Sequence, residues 1–168
     1  AEAFEIENRL VDITPIKVAF EKALPDNDNV LALANMNPRI RMTVLYAIGQ
    51  KEGRLVAGTG NLSEITMGYF TKWGDGACDF NPIADLTATE VKEYLKYFSA
   101  PEAIITKAPS AGLWDGQTDE EEMGITYAEL DRYILTGEGS ENLKQKVENA
   151  KQKTMHKKRM PLWYPETK

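Results

Sequence analysis

Residues 55 to 62, LVAGTGNL, set a short apolar run against a glycine turn and the start of a helix. The pattern predicts a strand at Leu55 to Ala57, a sharp turn at GTGN (58 to 61) and a helix from about Leu62. A chain that leaves a strand through glycines and enters a helix at once belongs to an alternating α/β architecture, whose open sheets bind ligands at the carboxyl ends of their strands. Backbone N–H groups in such a turn can approach a phosphate or an adenine edge. Glycines serve any tight turn, so taken alone the unit also reads as an ordinary connection.

The rest of the chain is punctuated in the same manner. Leu10 to Ile13 reads as a short strand, and Thr14 with Pro15 starts a helix striped by Ile16, Phe20 and Leu24. Asn37 and Pro38 repeat that start signal, with Ile40, Val44, Leu45 and Ile48 at helical spacing until Gly49 and Gly53. Arg39 and Arg41 fall in the first turns of this helix. Positive charge there opposes the helix dipole, at about 0.3 to 1 kcal/mol each, so the pair either awaits an anion or is simply solvated.

Gly68 to Pro82 (GYFTKWGDGACDFNP) lacks periodicity but holds Lys72, Asp75 and Asp79 among the aromatics Tyr69, Phe70, Trp73 and Phe80. A long loop with fixed charges and ring faces reads as a binding loop. Thr87 with Glu90 and Thr126 with Glu129 are capping boxes, the first before a Val91, Leu95, Phe98 stripe and the second before Leu130 and Ile134. Pro101 opens a short helix. KAPSAGLWDGQ (107 to 117) is irregular, with Ser110 and Trp114 available to a ligand. Asp119 to Glu122 suits a helix start or a solvated face. Ser140 starts a final helix with a thin stripe of Leu143, Val147 and Ala150. From Lys144 to Arg159 it carries seven basic residues and one acidic, so His156 and its neighbours either complement the helix C-terminus or grip an anion.

The net charge of −6 and pI near 5.0 oppose a broad nucleic-acid surface. No apolar run approaches a membrane span, and the opening residues are acidic instead of forming a basic, greasy signal. A lone Cys78 leaves no intrachain disulfide, so a cytoplasmic location is expected, with Cys78 itself a packed thiol. The 168 residues suit a single domain, 1-168. The opening AEAFEIENRLVDI reads as the end of one element running into a strand, so a preceding segment is expected.

Taken in order, NPRIRMTVLYA, GTGNLSEITMGYFTKWGDGACDFNPIADL, KAPSAGLWDGQTDEEEMGITYAELD and TMHKKRMP resemble the ammonia-dependent NAD+ synthetases, from about Val11 to Pro161. The resemblance implies a Rossmann-like adenine-nucleotide hydrolase fold of the ATP pyrophosphatase kind, incomplete at the N-terminus and with a helical C-terminal third. It further implies a homodimer that uses ATP and Mg2+ to adenylate the nicotinate carboxylate of deamido-NAD+, after which ammonia displaces AMP. Position by position it implies ATP contacts at Thr59 and Ser110, a magnesium ligand at Glu64, and deamido-NAD+ contacts at Arg39, Lys72, Asp79, His156 and Lys157.

Two departures accompany the resemblance. Ala88 stands where many members carry an ATP-contacting lysine, and the family's phosphate loop SGGxDS is not among these residues. The resemblance therefore implies that catalysis belongs to a longer parent. The other readings are a non-catalytic dinucleotide-binding or dimerisation module, and a GMP or asparagine synthetase of the same fold, against which the loop from 68 to 82 argues.

Overall fold

The computed structural model describes residues 1 to 24, 28 to 110, 112 and 116 to 161; Trp114 lies outside them. After a 3-10 turn at Glu2–Phe4, the first helices are α1 (Thr14–Ala23), α2 (Val30–Ala34) and α3 (Met36–Glu52). The N-cap is Ile13, one residue before the expected Thr14 and without a side-chain cap hydrogen bond, while the Asp12 carboxylate accepts the Thr14 N–H at 2.9 Å. The α1 stripe of Ile16, Phe20 and Leu24 is exposed. The third helix begins just before Asn37 and runs through Gly49, whose backbone is packed so closely that a Cβ would stand 2.9 Å from the Arg54 carbonyl. Gly53, with φ at 64°, ends it.

The expected strands do not form. Leu10 to Ile13 has no regular structure and Leu10 is 94% exposed. Leu55 to Ala57 reduces to one parallel bridge between Ala57 and Phe80, held by Gly58 N–H to Phe80 C=O at 2.7 Å and Asp79 N–H to Val56 C=O at 2.9 Å. Among the described residues there is no longer strand. A strand exists through its ladder, and parallel strands are normally covered on both faces. Here the apolar run has one short partner and Leu55 remains 72% exposed.

The remaining helices are α4 (Leu62–Met67), α5 (Ala88–Tyr97), α6 (Glu102–Ile105), α7 (Asp119–Met123), α8 (Tyr127–Thr136) and α9 (Glu141–Lys158). Both threonine capping boxes form, and Ser140 caps α9. The core gathers Met67, Ala88, Ile125, Tyr127, Leu130, Leu143 and Val147 from the packing of α4, α5, α8 and α9. Leu130 and Val147 are fully buried, worth about 1.5 to 3 kcal/mol each. Val91 and Leu95 are only half-buried, and Phe98 is exposed.

A buried polar knot ties three of these helices. Asp131 on α8 accepts the Ser63 hydroxyl of α4 and both the N–H and hydroxyl of Thr89 on α5, at 2.8 and 2.6 Å. Ser63 in turn accepts the Ala88 N–H at 3.0 Å. By this arrangement α4 is fixed against the core, with its N-terminal turn facing the cavity described next.

Candidate functional site

A cavity of 830 Å³ opens between α3, the glycine turn, α4, the loop from 68 to 82, α7 and α9. Thr59, Glu64, Ser110, His156 and Lys157 all line it, so residues spread over nearly a hundred positions of sequence meet at one space. The glycine turn is shaped by close packing. A Cβ on Gly58 would stand 2.6 Å from the Cys78 sulfur and 3.1 Å from Asn81, while Asn81 donates to the Gly60 carbonyl at 2.8 Å.

Glu64 stands at N3 of α4. Its Oε2 accepts the Asn61 N–H at 3.0 Å while the Asn61 side chain accepts the Glu64 N–H at 3.0 Å, a third capping box that carries a site residue. Burial raises the Glu64 carboxyl above its ordinary value, Asp119 and Asp75 add to this, and the Asn61 N–H opposes it. Carboxylates crowded in a half-buried place favour a cation. Magnesium accepts one or two carboxylates beside phosphate oxygens and water, so Glu64 fits as one ligand. Among the described residues no group of three or more His, Cys, Asp or Glu side chains could enclose a metal alone.

The acidic lining extends beyond what the sequence disclosed. Asp119, read as a helix-start or solvated residue, is buried and accepts the Tyr127 hydroxyl at 3.0 Å. Tyr69 donates to Glu122 at 2.7 Å, and Gln117 donates to the same carboxylate at 2.7 Å. Burial, helped by these carboxylates, pushes both tyrosines well above the ordinary phenol value. Of the two readings of the acidic run, the helix start is the one that forms, with Thr118 as the N-cap of α7, but nothing in local sequence signals that Tyr127 folds back over Asp119.

The same cavity is also lined by basic residues. Lys157 donates to the carbonyls of Gly68 at 2.9 Å and Phe70 at 2.8 Å, and Lys158 donates to Thr66 C=O at 3.0 Å. These cations satisfy the carbonyl end of α4 from a different helix. Burial lowers the Lys157 ammonium below its ordinary value, Lys153 adds to this and Asp75 opposes it. An ammonium has three N–H donors, so one remains to Lys157 for a ligand. Arg41, Lys153 and His156 complete the basic lining.

Arg39, Lys72 and Asp79 do not line this cavity. Where α3 meets the loop, Arg39 donates to the Lys72 carbonyl at 3.3 Å; separately, the Asp79 carboxylate accepts the Val56 N–H at 2.7 Å and the Tyr46 hydroxyl at 3.4 Å. Thr71 donates to the Asn35 side chain at 2.6 Å, drawing the loop onto the start of α3. Ala88 is buried in the core at the first turn of α5, so the family's lysine position contributes no cation here.

The NAD synthase family model matches residues 1 to 161. This chain belongs to the NAD synthase family. An NH(3)-dependent NAD(+) synthetase of Carboxydothermus hydrogenoformans is 56% identical over 143 residues, covering 85% of this chain and 59% of its own length. One from Archaeoglobus fulgidus is 47% identical, covering 96% and 66%. The NAD synthase relatives are thus spanned over about three fifths to two thirds of their length. Among solved structures, the NMN synthetase of Francisella tularensis superposes with a TM-score of 0.92 at 39% identity, covering 98% of this chain and 69% of that one. The NH3-dependent NAD synthetase of Campylobacter jejuni gives 0.75 at 31% identity, covering 98% and 68%. The NAD synthase fold is therefore shared over nearly the whole chain, although these residues hold it almost entirely with helices.

Proposed function

We propose that these residues form the deamido-NAD+ and magnesium-ATP side of an NAD+ synthetase, a ligase of NAD+ biosynthesis that amidates the nicotinate carboxylate with ammonia. The observation that carries this reading is that one cavity is lined both by the carboxylates of Glu64, Asp75, Asp119 and Glu122 and by cations from α3 and α9. Substrates bearing phosphates with a divalent counter-ion need both. A carboxylate has no leaving group until its oxygen bonds to the α-phosphorus of ATP and pyrophosphate departs; ammonia then adds to the carbonyl carbon, loses a proton, and AMP leaves. The protein's part is to align the reactants and neutralise charge.

In this reading Thr59 and Ser110 contact ATP. Glu64 holds magnesium, which when bound would offset the phosphate charge. Arg39, Lys72, Asp79, His156 and Lys157 contact deamido-NAD+. The residues act as one domain, 1-168, being the C-terminal part of a synthetase domain that works as a cytoplasmic homodimer without nucleic acid or membrane. No described helix is long and apolar enough to cross a membrane.

A second reading follows from the similarity to the NMN synthetase of Francisella tularensis: amidation would then act on a mononucleotide. Steady-state AMP release with ATP, magnesium and ammonia separates the cases. The parent enzyme should turn over deamido-NAD+ in preference to the mononucleotide, whereas preference for the mononucleotide, xanthosine monophosphate or aspartate would overturn the assignment. The 168 residues alone should give no turnover, since SGGxDS is not among them.

A further inference from the structure

The loop from 68 to 82 and α7 supply different parts of the cavity lining, and one side chain joins them. Tyr69, near the start of the loop, donates its N–H to the Glu64 carbonyl at 2.8 Å. Its hydroxyl donates to Glu122 within α7 at 2.7 Å and accepts from Gln117, just before α7, at 3.3 Å. Behind these bonds the Asp119 N–H donates to the Pro109 carbonyl at 3.1 Å, which places the backbone next to Ser110. The short helix is itself moored to α8, since the Tyr127 hydroxyl donates to Asp119 at 3.0 Å and the Tyr127 N–H to Glu120 at 2.7 Å. The residues after Tyr69 tie the loop elsewhere: the Phe70 carbonyl accepts from Lys157 at 2.8 Å, and the Thr71 hydroxyl donates to Asn35 at 2.6 Å. Three consecutive residues thus hold the start of the loop to three different elements, with Tyr69 the one that engages α7. Burial, with Glu122 accepting its proton and Asp119 close by, holds the Tyr69 phenol well above its ordinary value, so it remains a donor across the neutral range.

We propose that Tyr69 is a positioning residue: its hydroxyl fixes the loop that carries Lys72 and Asp79 against α7 and Ser110, so that two reactants are held in one register without Tyr69 touching either. The role rests on the reading above, in which the loop meets deamido-NAD+ and Ser110 meets ATP; the tie itself does not. A bond between the nicotinate carboxylate and the α-phosphorus forms only from a closely aligned pair, and a misplacement of about 1 Å can cost about a hundredfold in rate. A tie between the two sets of contacts therefore acts on the rate of the joined reactants more than on the binding of either one.

Amide exchange on the 168-residue chain tests the tie, and turnover by the parent enzyme tests its use. Tyr69→Phe removes one hydroxyl and leaves the Gln117 bond to Glu122 in place. The amides of Thr71, Gly74 and Gly76, which close hydrogen bonds within the loop, should then exchange about fivefold faster or more. The Leu130 and Lys144 amides of α8 and α9 should exchange as before. Glu122→Ala, at an exposed position on the other side of the same bond, should loosen the same loop amides, and adding it to Tyr69→Phe should change them by less than about twofold further. Should Tyr69→Phe fail to fold by circular dichroism, Glu122→Ala carries the test. In the parent, kcat should fall about tenfold or more in Tyr69→Phe while the KM values for ATP and deamido-NAD+ stay within about twofold. Loop exchange unchanged in both variants, an unchanged kcat, or a raised KM at constant kcat, which marks a direct substrate contact, overturns the proposal. An unaltered parent that turns over no deamido-NAD+ overturns the nucleotide reading instead, and loop exchange then decides on the tie alone.

Discussion

Asp131 is the side chain on which most depends away from the cavity. Nearly all its surface is buried, and its carboxylate accepts donors from Ser63 and Thr89 on two other helices. Truncation in Asp131→Ala leaves those donors unsatisfied in the interior, and we expect a loss of about 3 kcal/mol. Urea denaturation measures this, and a loss below about 1 kcal/mol would mean that water or neighbours replace the carboxylate. Gly68 makes a second case. Its φ is 64° and a Cβ there would overlap the Thr154 side chain, whereas Gly53 has the same φ with nothing nearby. Gly53→Ala should cost about 1 kcal/mol from backbone strain alone, and Gly68→Ala clearly more. Equal costs in thermal melts would show that α9 yields to α4 without penalty.

At the scale of elements, the capping boxes set the acid behaviour of the helices. Thr87 N–H and hydroxyl hold the Glu90 carboxyl below its ordinary value, and the Thr126 hydroxyl and N–H do the same for Glu129. A lowered folded value means that the stabilisation is complete above the unfolded value and is lost as pH falls through the folded one. The double variant Glu90→Gln with Glu129→Gln keeps an acceptor without a titrating group. Its stability should fall less between about pH 6 and about pH 3 than that of the parent. An unchanged acid slope would contradict the assignment. These two boxes, Ser140 and the Leu62 helix start were legible because caps are encoded within a few residues. The Asn61 and Glu64 box was legible in principle, as N-x-x-E, but the glycines before it drew the reading towards a phosphate turn. The strands were not legible as what they became, since a ladder depends on distant partners, and Phe80 sits in a segment without periodicity.

For the whole molecule, the acidic and basic residues that line the cavity come from segments far apart in sequence, and only resemblance connected them. Lys157 was expected to touch ligand, yet two of its donors close the end of α4; Asp119 was set aside, yet it lies buried beside Glu64. Burial and partner choice of this kind follow from the packing of α4 against α8 and α9, which no local pattern encodes. Binding of deamido-NAD+ to the 168-residue chain is the measurement that bears most directly on the account. Titration calorimetry should show saturable binding that weakens about tenfold or more in Lys72→Ala. The absence of any binding heat, or equal affinity in Lys72→Ala and the unaltered chain, would contradict it.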